Sequence, residues 1–276
     1  MAHSSLAQED RDLPKAGDPR EEAVPKLLSR FGGRLHALAR RICRSEEDAD
    51  DLVQEVFLTA WRCWDGFEGR SNPSSWLWRI AVRACQRMHR RRKGEPERVV
   101  SLDDISPFGA SEMPDVRRQR ATVLEDLLMQ EGRERMEEAV AELPMSFRVP
   151  LVLKDIVGFS VDEVAAILGI KPATVKTRLH RARMKLRAAI EEHIPRRPAQ
   201  PVAYSRQVCL DLLKAKQEAL DRGVPFPDDE IICERCREVF ASLDLAHDLC
   251  ARLGTGNLPE ALVEQIHEKM GIRRAS

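Results

Sequence analysis

Ala49, Leu52, Val53, Val56, Phe57, Ala60, Trp61 and Trp64 recur with the three-to-four residue spacing of an α-helix. Such a stripe commits residues 46–64 to a helix with one buried face and excludes a strand, which would alternate every second residue. Ser45 followed by Asp48 supplies a capping box at its start, and the turn-forming run "DGFEGRSNPSS" ends it. A second helix, about residues 75–93, contains "WLWRIAVRACQRMHRRRK" and changes from aromatic to strongly basic along its length. An upstream helix at about 22–43 completes a three-helix unit. Only 5% of the chain is aromatic while 33% is charged, a profile of helical rather than sheet-rich protein.

The same periodicity divides the whole chain. The acidic, proline-containing start lacks the apolar core of a signal peptide, and no stretch is long enough to span a bilayer. The reading is therefore a cytoplasmic protein with no membrane partner and a disordered tail at 1–20. Residues 21–93 form the first helical domain and 94–122, rich in breakers, a linker. Helical pattern returns over 123–192 in pieces at 123–141, 145–156, 161–168 and 172–191. A second linker covers 193–203, and residues 204–276 form a small C-terminal domain with helices at about 204–222, 229–253 and 258–270.

Within the middle domain, Ser160 and Glu163 make another capping box, Gly169 stands where a helix end needs a left-handed residue, and Pro172 suits a first helical turn. Val175, Leu179, Ala182 and Leu186 form the apolar stripe of the following helix. Its other face carries Thr174, Thr177, His180 and Arg181, flanked by Lys176, Arg178 and Arg183. This is a helix-turn-helix whose second helix can neutralise phosphates and read base edges in a major groove. The plainer alternative is a basic solvated face in an ordinary bundle; cap, turn glycine, stripe and polar face together favour DNA. Charge is segregated accordingly: nine Lys or Arg against two acids from Lys171 to Arg197, then ten basic against thirteen acidic residues after 200. A basic block beside an acidic tail suits a polyanion-binding part and a part that masks it.

Two blocks, "DADDLVQEVFLTAWRCWDGFEG…SSWLWRIAVRACQRMHRRRK" and "AELPMSFRVPLVLKDIVGFSVDEVAAILGIKPATVKTRLHRARMKLRA", resemble the extracytoplasmic-function (ECF) sigma factors of bacterial RNA polymerase. With the intervening "SLDD", the likeness covers about residues 21–191. It implies an all-α fold, two small helical sigma domains joined by a flexible linker, the second holding the helix-turn-helix. It implies docking on RNA polymerase core through Asp48, Asp50, Asp51, Gln54 and Glu55. It implies minus-ten promoter DNA binding by the Phe67–Ser75 turn and by Arg79, Arg83, Arg87, Arg90, Arg91 and Arg92. Trp76 is expected mainly in the core. Arg83 departs from the family, which commonly has Asn there. The helix from Pro172 to Arg187 corresponds to the minus-35 reader. Such a protein is a promoter-directing factor, not an enzyme.

About eighty residues follow the part that this family needs. They contain Cys209 and the pair Cys233 and Cys236, and the array with Asp229 resembles zinc-binding anti-sigma factors, with Asp229 in the place of a His. That resemblance implies a zinc ion on Cys209, Asp229, Cys233 and Cys236 and a domain that regulates the sigma factor in cis by sensing redox state or metal. His247 and Cys250 compete with Asp229 as fourth ligand if the helix at 229–253 bends. Zinc, another thiophilic metal, and a metal-free domain with leftover cysteines all stay open. Cys43, Cys63 and Cys85 read as packing residues. The partners expected are RNA polymerase core and promoter DNA, and a separate anti-sigma factor is compatible with them. The alternative function is a conventional helix-turn-helix DNA-binding regulator with a metal-sensing tail.

Overall fold

The computed structural model describes residues 12–272 except 44, 91–107, 109–110, 117–124, 193, 202, 228–232 and 254–256. In chain order the helices are α1 (Arg20–Ile42), α2 (Glu46–Cys63), α3 (Pro73–Arg90), α4 (Glu125–Glu142), α5 (Met145–Leu151), α6 (Val161–Leu168), α7 (Pro172–Glu191), α8 (Arg206–Arg222), α9 (Glu234–Arg252) and α10 (Glu260–Met270). Two short strands, β1 (Glu112–Pro114) and β2 (Arg196–Pro198), complete the described elements. The fold is mostly helical, as the periodicity requires. The chain divides into two compact units, one of Met1–Pro96, Val152–Pro172 and Leu253–Ser276, the other of Glu97–Leu151 and Ala173–Arg252.

In the first unit, α1, α2 and α3 pack together around Leu27, Phe31, Leu35 and Leu38, Leu52, Val53, Val56 and Phe57, and Leu77, Trp78 and Ala81. Each large side chain so buried contributes roughly 1.5–3 kcal/mol. Ser45 Oγ accepts the Asp48 amide at 3.1 Å and so starts α2. Trp78 is fully buried, with Phe159 edge-on to it at 5.5 Å between centroids, which ties α6 to α3. Trp76 is only half-buried: it lies beside Trp64, 5.6 Å away, and Phe67, 5.3 Å away, while Trp64 Nε1 donates to Asp18 O. Trp61, part of the apolar stripe, is also half-buried and has the Arg20 guanidinium over its ring at 5.2 Å. Helix α10 lies on α2 and buries Leu262, Ile266 and Met270.

The second unit contains a pairing that the linker reading did not foresee. β1 and β2 run antiparallel with Glu112 opposite Pro198, Met113 opposite Arg197 and Pro114 opposite Arg196. Arg197 then reaches α9, with Nη2 at 2.8 Å from Glu238 and 3.3 Å from Glu234, and Nε at 3.7 Å from Asp115. Helix α4 meets α9 where Gly132 faces Leu249 and Cys250 Sγ lies 3.4 Å from Met136 Sδ. The piece expected as one helix over 145–156 is α5 followed by a π-helical turn at Val152–Ile156.

Candidate nucleic-acid interface and thiol cluster

Local chemistry builds the turn before α7. Ser160 Oγ accepts the Glu163 amide at 3.2 Å while Glu163 Oε2 accepts the Ser160 amide at 2.7 Å, so two otherwise orphaned donors at the start of α6 are satisfied. Gly169 ends α6 at φ +66°, a left-handed conformation open to glycine at little cost. Val175, Leu179, Ala182 and Leu186 are buried, as their spacing predicts. Lys176 and Thr177 are exposed, and Thr174, Arg178 and Arg181 are half-exposed. Thr177 donates its hydroxyl back to Ala173 O at 3.0 Å, which leaves the oxygen free to act only as an acceptor.

His180 and Arg183 are placed differently from the expectation of an open face. Arg183 is 3% exposed, and its Nη1 lies 2.6 Å from Asp221 Oδ1 of α8. His180 Nε2 lies 3.4 Å from Asp221 Oδ2, and Gln217 Nε2 donates to His180 O at 3.3 Å. Burial raises the Asp221 pKa, but His180 and Arg183 outweigh it and hold the carboxyl below the ordinary value. Neither Asp221 nor Gln217 stood out in the sequence. Each is one polar residue among many on an amphipathic helix, and only docking of that helix gives it a partner.

The expected polymerase face on α2 is partly engaged inside its own unit. Asp50 Oδ1 lies 2.9 Å from His36 Nε2. Glu55 accepts the Thr59 hydroxyl at 3.2 Å and stands 3.6 Å from both Arg62 and Arg87. Gln54 Oε1 accepts from Lys269 Nζ of α10 at 2.5 Å. Asp51 is exposed, and Asp48 contributes its amide to the Ser45 cap. On α3, Arg79 donates to Ser71 Oγ, while Arg83 and Arg87 are exposed. Arg91, Arg92 and Asp229 lie outside the described residues, as does the side chain of Arg90.

Cys209 in the first turn of α8 and Cys236 in α9 are fully buried in a core with Met184, Leu213, Val239, Phe240 and Leu243, and Cys233 packs against it. Met184 belongs to α7, next to Arg183. Cys233 immediately precedes α9. Burial raises its pKa, but the backbone amides of Ala203, Cys236 and Arg235, with the Cys236 thiol, outweigh burial and lower it overall. Cys236 shifts upward, first by burial and then because the Cys233 and Cys209 sulfurs lie beside it. Soft sulfur donors of this kind suit zinc and other thiophilic metals. Among the described residues, however, no three His, Cys, Asp or Glu side chains are gathered closely enough to hold a metal ion. α9 runs unbroken from Glu234 to Arg252, so His247 stands about 16 Å along the axis from Cys236. His247 and Cys250 therefore cannot complete one mononuclear site with that cysteine. Cys85 is buried and Cys43 half-buried, whereas Cys63, expected to pack, is exposed at the end of α2.

The family model for Sigma-70 region 2 matches residues 27–95, and that for Sigma-70, region 4 matches residues 133–186. Over 171 residues the chain is 35% identical to the ECF RNA polymerase sigma factor SigM of Mycobacterium tuberculosis, covering 62% of this chain and 78% of that protein. It is 31% identical over 181 residues to the RNA polymerase sigma factor CnrH of Cupriavidus metallidurans, covering 64% of this chain and 91% of that one. A solved structure of CnrH in complex with the cytosolic domain of CnrY aligns at 27% identity and a TM-score of 0.45, over 64% of this chain and 93% of that chain. The protein belongs to the ECF RNA polymerase sigma factors. It is accordingly a transcription initiation factor that binds RNA polymerase and DNA. Both family matches end before α8, so α8, α9 and α10 lie beyond them. No helix among the described residues is long and apolar enough to cross a membrane.

Proposed function

We propose that this sigma factor is regulated in cis by residues 204–276, with Cys209, Cys233 and Cys236 as the element that senses redox state or a thiophilic metal. One observation carries the reading: Asp221 of α8 takes up Arg183 and His180 of α7, two side chains that the helix-turn-helix would offer to minus-35 DNA. An arginine neutralised and buried by a carboxylate has no charge left for a phosphate and no free fork for a base edge. One carboxylate of the appended segment thus takes up groups that a phosphate would otherwise meet.

The thiols are coupled to that contact by packing. Met184 follows Arg183 directly and shares a core with Cys209 and Cys236. Closely packed interiors transmit displacement, so a new bond among these sulfurs shifts α8 against α7. Oxidation to a disulfide would do this by drawing two sulfurs to bonding distance. Zinc would do it by drawing Cys209, Cys233, Cys236 and Asp229 together as its ligands. In this reading Asp48, Asp50, Asp51, Gln54 and Glu55 meet core polymerase. Arg79, Arg83, Arg87, Arg90 and Arg91 bind the minus-ten region, and Thr174, Lys176, Thr177, Arg178 and Arg181 bind the minus-35 region, joined by His180 and Arg183 once released. The protein works in the cytoplasm, where its polymerase and promoter are.

The test is promoter-directed transcription with purified core polymerase, comparing the full chain with a chain lacking residues 200–276. The truncated form is expected to be more active, and equal activity would overturn regulation in cis. Metal content of the reduced protein, repeated for Cys233→Ser and Asp229→Ala, separates the two sensing modes. Stoichiometric zinc lost in both variants assigns the metal site; a metal-free reduced protein whose transcription responds to thiol oxidation assigns the redox one.

A further inference from the structure

We infer that α10 is a second lock, distinct from the contact on α7: it lies along α2, engages the polymerase-facing row at Gln54, and has to leave before core polymerase can dock. The inference rests on the reading of Asp50, Asp51, Gln54 and Glu55 as the docking face. Lys269 donates to Gln54 at 2.5 Å, in the middle of that row. It presents a cation to the acidic face of α2, as a basic partner surface would. Leu262, Ile266 and Met270 are buried at one-turn spacing in the helix that lies along α2.

Gly32 indicates that the contact is built into the first sigma domain. It lies inside α1 without a positive φ, so no turn requires it, and a helix-interior glycine costs about 1 kcal/mol relative to alanine. The space above it is taken by Leu258, just ahead of α10. A Cβ at position 32 would meet Leu258 Cδ2 at 2.8 Å, whereas the nearest atom of α1 itself, Leu28 Cδ1, would be at an ordinary 3.4 Å. The glycine is a notch for a residue of the C-terminal segment. The lock is also releasable. α10 spans 11 residues and starts at Pro259 with no side-chain cap, and isolated helices of that length are marginal in water. Once off α2 it has little to hold it folded.

The experiment uses the full-length protein and two variants, Gly32→Ala and Leu258→Ala, with two readouts: affinity for purified core polymerase, and hydrogen exchange of residues 260–270 with and without core. In the free wild type these amides are expected to be protected and to lose protection when core binds. Leu258→Ala should lower the protection without core and bind core up to about tenfold more tightly, about 1.4 kcal/mol; Gly32→Ala should move both readouts the same way by less, because the end of the Leu258 side chain can turn aside. Gly32→Ala is informative because alanine favours α1 itself; should it fail to fold, Leu258→Ala, which only trims a half-buried side chain, carries the test. Protection of 260–270 that survives in the complex with core overturns the lock, as does unchanged affinity in variants that have released α10. Both results leave the α7–α8 contact standing. Failure of every form to bind core overturns the docking-face reading and the lock with it.

Discussion

Arg183 of α7 and Asp221 of α8 face each other at 2.6 Å with both side chains 3% exposed. A pair this deeply buried is weak evidence for net stability, because desolvation opposes the attraction, but breaking it from one side is costly. The pair therefore sets register: α8 can lie on α7 in few ways that leave neither charge unpaired.

Asp221→Ala leaves the Arg183 guanidinium buried without its partner and is expected to weaken the α7–α8 contact by about 3–5 kcal/mol. The variant should bind minus-35 DNA more tightly in the presence of core polymerase and should unfold at lower denaturant than wild type. Promoter affinity no higher than that of wild type would contradict the masking of α7.

The same carboxyl gives the contact an acid limit. Its pKa is held below the ordinary value, so its contribution is complete above the unfolded-state value of about 3.9 and is lost as pH falls through the lower folded-state value. Comparing urea midpoints of wild type and Asp221→Asn across pH should give a constant gap at neutral pH that begins to close below about pH 4. A gap that persists to the lowest attainable pH would contradict this.

Cys233, half-buried and held toward the thiolate by surrounding amides, should alkylate before Cys236 and Cys209, both buried and Cys236 shifted upward. Mass-spectrometric mapping after brief treatment with iodoacetamide checks the order; exposed Cys63 serves as an internal reference.

Arg197→Ala removes the cation from Glu238, which is 1% exposed, and loosens β2 from α9. A loss of roughly 1–3 kcal/mol in unfolding free energy is expected, because a buried acceptor is left without its donor. Equilibrium denaturation measures it, and Arg197→Lys should recover part of the loss.

Gly169→Ala places a Cβ where nothing lies within 4 Å, so its cost is conformational alone, about 1–2 kcal/mol for a left-handed residue. The midpoint of unfolding should fall accordingly, and minus-35 binding should weaken if the turn relaxes.

Most of the helices could be placed from the sequence to within a few residues, because apolar period and caps are local: Ser45, Ser160 and Gly169 each act within one turn of where they stand. The sigma-factor family was legible for the same reason, in contiguous runs of chain. Other features escaped local reading. The β1–β2 pairing joins residues far apart within stretches rich in turn formers. The exclusion of His247 and Cys250 from a site with Cys236 depended on whether α9 runs straight, which the periodicity alone left open.

Which helices carry the charges, the thiols and the apolar stripes follows from the order of residues alone, since backbone propensity and periodicity act between near neighbours. Which of those faces are already occupied follows from how the helices pack. Arg183, which flanks the outward face of α7 in the sequence, is buried by Asp221, and the space beside Gly32 in α1 is taken by Leu258. The reason is that partner choice depends on packing between segments distant in the chain, where shape and desolvation select among many equally polar candidates.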